Sequence, residues 1–283
     1  MQKVYWILAW IMIFTAYACT EGGESTGTEA DGERLVIKAL YVPSQGFAES
    51  TPDGEPTGFT VELVRDFHQF AEAKHERSID LIFEEETDWR TFYNRIKDGE
   101  GNKIGMGNVT ITEERKTELN FSPPYMNNVA ALISHADAPA LETIENLAQV
   151  FEGRKALAFE GTLHEQRLRQ LVKNYMPEAD IEMAHTNDEI MERVATVDEY
   201  FAFIDLYNFQ RGMMRGLDMQ HHAVADESEE QFGYIMPLES KWIDDINEWF
   251  YADGGLINSD RYKSLMKNHL GEELAELLLS SGG

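Results

Sequence analysis

The segment Gly107-Asn108-Val109-Thr110-Ile111-Thr112-Glu113-Glu114-Arg115 brings together residue types that can hold a small anion. A strand is expected to end here and a helix to begin with Thr112 as its N-cap. Free backbone N–H groups, the Thr110 hydroxyl and the Arg115 guanidinium would then converge on one place. A carboxylate suits it, because arginine presents two parallel donors to two oxygens. On the residues alone Arg115 is more often a solvated helix residue, so both readings stay open. Further along, Thr162 and Glu165 have the T-x-x-E spacing of a capping box, which places Gly161 to Leu163 at an exposed helix start whose dipole favours an anion. A plain helix cap carries equal weight. Asp205 closes an apolar strand and by itself reads as the cap of a helix starting near Leu206.

Other chemistry finds little support. His221 and His222 are adjacent, so in an extended segment they point to opposite faces, and no H-E-x-x-H spacing occurs: no metal site is expected. Neither a Gly-rich phosphate loop nor a G-x-S-x-G elbow is present, and no cofactor is expected. The runs Glu84 to Glu86 and Glu227 to Glu230 read as solvated surface.

These residues need elements to position them. From residue 34 onward short apolar runs alternate with stretches of helical period, the signature of an α/β fold. Strands are expected at 34–41, 79–83, 103–109, 130–134, 155–159, 181–184, 200–204 and 233–236. Leu63, Val64, Phe67, Phe70 and Ala71 share one helical face, as do Trp89, Phe92, Tyr93 and Ile96. Further helices are expected near 141–150, 163–175 and 188–196, through Ile243, Ile246 and Phe250, and twice at the C-terminus.

With 283 residues the chain can bury a sizeable core unaided. Its 51 acidic against 24 basic residues leave a net charge of -27, a field that repels phosphate backbones, so no nucleic-acid partner is expected. The single cysteine excludes an internal disulfide framework. That cysteine, Cys19, follows a signal-peptide-like segment, with Met1 to Lys3 as n-region and Val4 to Ala18 as apolar core. The string Ala16-Tyr17-Ala18-Cys19 resembles a bacterial lipoprotein box, which makes residues 1–18 a removed leader and Cys19 the lipidation site. Residues 19–33, rich in Gly, Glu, Ser and Thr, read as a flexible tether. The rival reading is a secreted protein cut near Ala18.

Thr110-Ile-Thr-Glu-Glu-Arg115, followed by Phe121-Ser-Pro-Pro-Tyr125, resembles the family-3 extracellular solute-binding proteins, the polar amino-acid receptors of ABC importers. Gly58-Phe59-Thr-Val-Glu62-Leu63, Glu160-Gly161-Thr162, Phe203-Ile204-Asp205, Asp253-Gly-Gly-Leu256 and Asn268-His-Leu-Gly271 fall in the family's order. The resemblance implies a two-lobe type II clamp with two crossover segments, residues 34–128 plus 233–278 forming one lobe and 129–232 the other. It implies that Arg115 grips a ligand α-carboxylate beside Thr110 and Asn108, that Gly161 and Thr162 add donors from the opposite lobe, and that Asp205 pairs with the α-ammonium. Trp89 and Phe47 would wall the ligand side chain, although Trp89 also fits a core position; Tyr41 and Glu160 would select that side chain. Gly101-Asn102-Lys103-Ile104 lacks the family's usual aspartate, a departure that concerns the fold more than binding, and Ser44 stands near the place of the usual pocket tyrosine, so ligand identity stays open. The implied protein is a monomeric binding protein, not an enzyme, held in the bacterial cell envelope on a periplasmic or extracellular face through its lipid alone and docking on an ABC permease. A sensory receptor and a dehydratase using Glu160 are the rivals. Lytic transglycosylases carry such a lobe pair ahead of a catalytic domain, whereas this sequence stops at residue 283.

Overall fold

The computed structural model describes residues 34–280, which form one compact unit. The expected leader, Cys19 and the tether lie outside the described residues. The chain opens with β1 (Leu35–Tyr41), a hairpin of β2 (Glu49–Ser50) and β3 (Pro56–Thr57), α1 (Phe59–His75), β4 (Ile79–Glu85), α2 (Trp89–Lys97) and β5 (Lys103–Thr110). After β6 (Asn120–Phe121), β7 (Met126–His135) leads through α3 (Leu147–Val150) into β8 (Lys155–Phe159), α4 (Leu163–Tyr175), β9 (Ile181–Ala184), α5 (Asn187–Thr196), β10 (Tyr200–Asp205), α6 (Leu206–Met214) and β11 (Met219–His221). Then β12 (Glu227–Met236) returns to α7 (Ile243–Tyr251), α8 (Asp260–Leu270) and α9 (Glu272–Ser280).

The main path of the sheet runs β4-β1-β5-β12-β7-β10-β8-β9. Strands β4, β1 and β5 are parallel, as are β10, β8 and β9, while β5, β12, β7 and β10 meet antiparallel. Two parallel halves are thus joined by one antiparallel pair, β7 and β12. Phe232 sits at the changeover, opposite Thr110 on one side and Met126 on the other. This is the expected α/β two-lobe clamp with two crossover segments. Each half places β1 or β8 between two parallel neighbours, and such a switch point leaves a crevice at the carboxyl ends of the strands.

Apolar burial covers both faces of each half. The stripe of α1 is fully enclosed at Leu63, Val64, Phe67 and Ala71, packed with α7 and α8 residues such as Trp249 and Leu265. Opposite it, Phe92 and Ile96 of α2 pack on Leu40, Val109 and Ile235. In the other half α4 covers one face through Leu168 and Val172, and α5 the other through Ile190 and Val194.

Several expectations are corrected. The helix expected over 141–150 is a 3-10 turn at Ile144–Asn146 followed by one turn, α3. Leu141 N–H donates instead to His222 Nδ1 at 3.2 Å and Thr143 is extended, so no longer helix can start there. The helix expected after Thr112 is a single 3-10 turn, Arg115–Thr117. The strand expected at 233–236 begins six residues earlier, so the run from Glu227 is part of β12 and Glu230 is buried at 5% exposure. The Glu84 to Glu86 run is tied down too: Glu84 and Glu86 pair with Arg95, and Glu85 accepts from Tyr41 and Ser50.

Candidate ligand-binding site

A cleft of about 260 Å³ opens where the strand ends of the two halves face each other. From the first half it is lined by Val42 to Gln45 beyond β1, by Gly107, Asn108 and Thr110 of β5, by Trp89 and by Arg115. The second half contributes Phe159 and Thr162 to His164 around the start of α4, His185 to Asp188 around the start of α5, and Asp205, Tyr207 and Arg211. The starts of α4, α5 and α6 therefore all border one hollow, and each adds positive potential there.

Arg115 is fixed from three sides. Its backbone N–H donates to Thr112 Oγ1 at 3.2 Å, which gives Thr112 its expected capping bond. One terminal nitrogen, Nη1, donates to the Thr110 carbonyl at 2.9 Å. The guanidinium carbon lies 5.3 Å from the centroid of Trp89 and 5.6 Å from that of Tyr93, and these two rings are stacked at 5.3 Å. Two ring systems this close attract the cation and restrict its rotamers. Burial lowers the guanidinium pKa, an effect opposed by the Tyr93 hydroxyl and the Glu230 charge and reinforced by Arg167; at so basic a group the cation persists.

Across the cleft, Asp205 ends β10 at 8% exposure. Although it occupies the N-cap position of α6, its side chain makes no capping bond. Its Oδ1 accepts from Asn128 Nδ2 at 2.7 Å and faces His164 Nε2 at 3.1 Å, while Oδ2 accepts from Asn208 at 3.4 Å. The carboxylate is therefore held by side chains of β7, α4 and α6, which answers the two open readings of this residue against the cap.

Asn108 has φ of 49°, the left-handed region that asparagine tolerates better than most residues. The twist aims its amide between two tyrosines: Nδ2 donates to Tyr207 Oη at 3.0 Å, and Oδ1 accepts from Tyr125 Oη at 2.7 Å. Burial pushes both phenols above their usual pKa, so both stay protonated.

At the start of α4 the Thr162 hydroxyl donates to Phe159 O at 2.8 Å and accepts from Glu165 N–H at 3.4 Å. Glu165 returns to Gly161, accepting its N–H at 2.7 Å. The Gly161 donor expected for a ligand is thus already used, and Gly161 does not line the cleft. The Leu163 and His164 N–H groups, in the first turn, have no intrahelical acceptor.

Of the ten residues expected at the site, Arg115, Thr110, Asn108, Thr162, Asp205 and Trp89 line this cleft, and Gly161, Phe47, Tyr41 and Glu160 do not. Phe47 is 1% exposed and packs on Phe59 and on Tyr207, whose ring centroid is 4.7 Å away, so it backs the wall instead of forming it. Tyr41 is buried, with its hydroxyl on Ser50 and Glu85. Glu160 sits outside the lining between His185 at 3.2 Å and Arg90 at 3.7 Å. Sequence reasoning missed His164, Tyr207 and Arg211. His164 left a trace, two residues past a recognised cap, and so did the missed start of α5 from His185 to Asp188, where Thr186 and Glu189 repeat the T-x-x-E spacing. Among the described residues no group of three or more His, Cys, Asp or Glu could hold a metal ion, and no helix is long and apolar enough to cross a membrane.

Two parallel half-sheets, a pair of crossover strands and a polar cleft between their carboxyl ends define the class of two-lobed solute-binding proteins. The chain belongs to the bacterial extracellular solute-binding proteins, family 3, whose sequence profile matches residues 35–272. Over 141 residues it is 30% identical to the L-cystine-binding protein TcyJ of Escherichia coli strain K12, covering 48% of this chain and 46% of that protein. Over 194 residues it is 24% identical to membrane-bound lytic murein transglycosylase F of Pseudomonas putida KT2440, covering 69% of this chain and 37% of that one. The chain thus spans less than half the length of these relatives. In fold it matches the arginine-, lysine- and histidine-binding protein ArtJ of Geobacillus stearothermophilus with a TM-score of 0.64 at 18% identity, over 85% of this chain and 96% of that one.

Proposed function

We propose that the cleft binds a small amino acid, α-carboxylate on Arg115 and α-ammonium on Asp205, and that the loaded protein docks on an ABC importer. The observation that carries this reading is that a guanidinium from one half and a carboxylate from the other line the same small hollow. Thr110 and Asn108 beside Arg115, and the start of α4 at Thr162, complete the ligand's surroundings, with Trp89 as the ring wall. Support for the ligand class also comes from relatives that bind cystine or basic amino acids by name.

In this reading residues 34–128 plus 233–278 form one lobe, 129–232 the other, and β7 with β12 is the hinge. Contacts already span the cleft, among them Asn108 with Tyr207, Arg211 Nη1 with Gln45 O at 3.4 Å, and Arg90 with Glu160. A ligand that touches both sides binds the closed arrangement better than the open one and so shifts the population toward it. The protein works as a monomer outside the cytoplasm, anchored by lipid at Cys19 and without catalysis of its own. The position of Glu160 outside the lining supports the last point, since the dehydratase alternative required it at the ligand. A sensory role uses the same clamp with a different docking partner.

The test is thermal unfolding of the mature chain with each common amino acid and L-cystine. A ligand at one hundred times its Kd adds about 2.7 kcal/mol of stability, or roughly 5–10 °C for a domain of this size. No shift with any of them sinks the amino-acid reading. Uptake in cells with and without the chain separates transport from sensing, and loss of lipid labelling in Cys19→Ala checks the anchor.

A further inference from the structure

The carboxylate of Asp205 is one end of a polar chain buried beneath the cleft. Asn128 on β7 and Glu230 on β12 are register partners in the crossover pair, each 5% exposed. The Asn128 amide nitrogen donates to Asp205 Oδ1 and to Glu230 Oε2, both at 2.7 Å. The two carboxylates are therefore no further apart than two hydrogen bonds through one nitrogen. Glu230 is in turn paired with the guanidinium of Arg167, from the second turn of α4, which also donates to Glu227 Oε2 at 2.9 Å. Neither Glu230 nor Arg167 lines the cleft. Both nevertheless act on Arg115 from opposite directions, Glu230 favouring its charged form and Arg167 opposing it, after the larger effect of burial and that of Tyr93.

We propose that Glu230 and Arg167 set the preference of the cleft for zwitterionic amino acids over plain carboxylates, an inference that rests on the amino-acid reading above. A negative charge at Glu230 deepens the potential in which an ammonium on Asp205 sits. The same charge weakens the positive potential around Arg115 in which a carboxylate sits. A zwitterion gains from the first effect and loses from the second, whereas a carboxylate without an ammonium only loses. Arg167 works with the opposite sign at both places. Because both groups are withdrawn from solvent, these effects escape most of the screening that flattens surface charges. Both are positioning residues: they act through Asp205 and Arg115 and touch no ligand.

The test compares the affinity of each primary amino acid and L-cystine with that of its α-des-amino acid, for example leucine with 4-methylpentanoate and glutamate with glutarate. The readout is the ratio Kd(des-amino)/Kd(amino acid). Glu230→Gln keeps the acceptor for Asn128 and removes the charge, and should lower the ratio by on the order of tenfold. Arg167→Gln should raise it by a similar factor. Opposite shifts are the signature, because lost packing or folding would weaken both ligands together and leave the ratio alone. Should Glu230→Gln fail to fold, Arg167→Gln carries the test by its raised ratio, and adding Glu230→Gln to it should cancel that rise and bring the ratio back to within about twofold of wild type; a flat ratio in Arg167→Gln overturns the proposal. Ratios that stay flat, or move in one direction in both single variants, overturn the proposal while the amino-acid reading stands. A wild-type protein that binds none of the amino acids defeats that reading, and this one with it.

Discussion

The side-chain amide of Asn108 donates to the Tyr207 hydroxyl at 3.0 Å, and this bond joins the end of β5 to the first turn of α6 across the cleft. Both partners are held by the first half and the crossover strands. Asn108 is held by Tyr125, and the Tyr207 ring packs on Phe47 and Phe232. In the reading proposed above this bridge belongs to the closed arrangement, with Tyr207 packed against the first half as well as bonded to it.

Tyr207→Phe deletes the bridge and leaves the ring in place. The Asn108 donor loses a partner in a half-buried setting, a cost of about 1 kcal/mol. Because the bridge belongs to the closed arrangement, the loss should appear as ligand release about fivefold faster, with the unfolding midpoint little changed. Stopped-flow release of the amino acid identified in the thermal screen checks it; an unaltered release rate would show that the bond does not help hold the cleft shut.

Arg115 offers a sharper contrast. Arg115→Ala removes a charge-assisted bidentate partner and should weaken binding by about 2–3 kcal/mol, roughly 30- to 150-fold. Arg115→Lys keeps the charge yet cannot present the fork, so it should recover only part of that loss. Calorimetric titration of the two variants, with circular dichroism to show that the fold persists, decides the matter. Wild-type affinity in Arg115→Ala removes the carboxylate role.

How legible the site was in the sequence depended on the range of the signal. Arg115 and Thr162 lie in local strings and Asp205 ends an apolar run, so each could be singled out along the chain, but on the residues alone they read as a solvated residue and two caps, and the family resemblance was what put them at one site. Glu230 could not be singled out: its burial follows from the register of β12 against β7, and a run of acids carries no mark of the neighbour that will pair with it. Tyr207 and Arg211 reach the cleft because α6 packs at a particular angle, which periodicity does not specify. Phe47 was misplaced for the converse reason, since a loop aromatic looks exposed until the chain folds over it. The alternating elements themselves were legible because each half-sheet is buried on both faces, which forces apolar runs for strands and apolar stripes for the helices covering them. The helix expected over 141–150 failed where a distant residue, His222, claimed the N–H of Leu141.

That histidine gives a prediction about pH. His222 Nδ1 accepts from Leu141 N–H, and Nε2 lies 2.8 Å from Ser134 Oγ, an arrangement that requires the neutral ring with its proton on Nε2. Burial, reinforced by His221 and Arg154, lowers its pKa from 6.5 to about 4. The unfolded chain binds this proton first as pH falls, so the folded state loses stability between about pH 6.5 and 4, by up to about 3 kcal/mol, and no further from this group below that. Denaturant unfolding across that window should show a shallower decline in His222→Gln than in wild type. Parallel declines would assign the acid sensitivity to other groups.

Asp205→Asn separates charge from shape at the other end of the ligand. The substituted amide can keep its oxygen toward Asn128 and His164, whose bonds to Oδ1 are 2.7 and 3.1 Å, so β7, α4 and α6 should stay in register. Its nitrogen would then face Asn208 Nδ2, which donates to Oδ2 in the native protein, a mild donor-to-donor conflict at a contact already long at 3.4 Å. Stability should fall by about 1 kcal/mol. Affinity should fall much further for amino acids, because an ammonium loses its counter-charge while Glu230 beneath is too enclosed to reach it, and should rise for des-amino acids, whose carboxylate no longer shares the cleft with a negative charge at Asp205. Paired titrations with an amino acid and its des-amino counterpart measure this directly. Equal losses for both would mean that Asp205 serves the architecture of the hinge and that the ammonium is recognised elsewhere in the cleft.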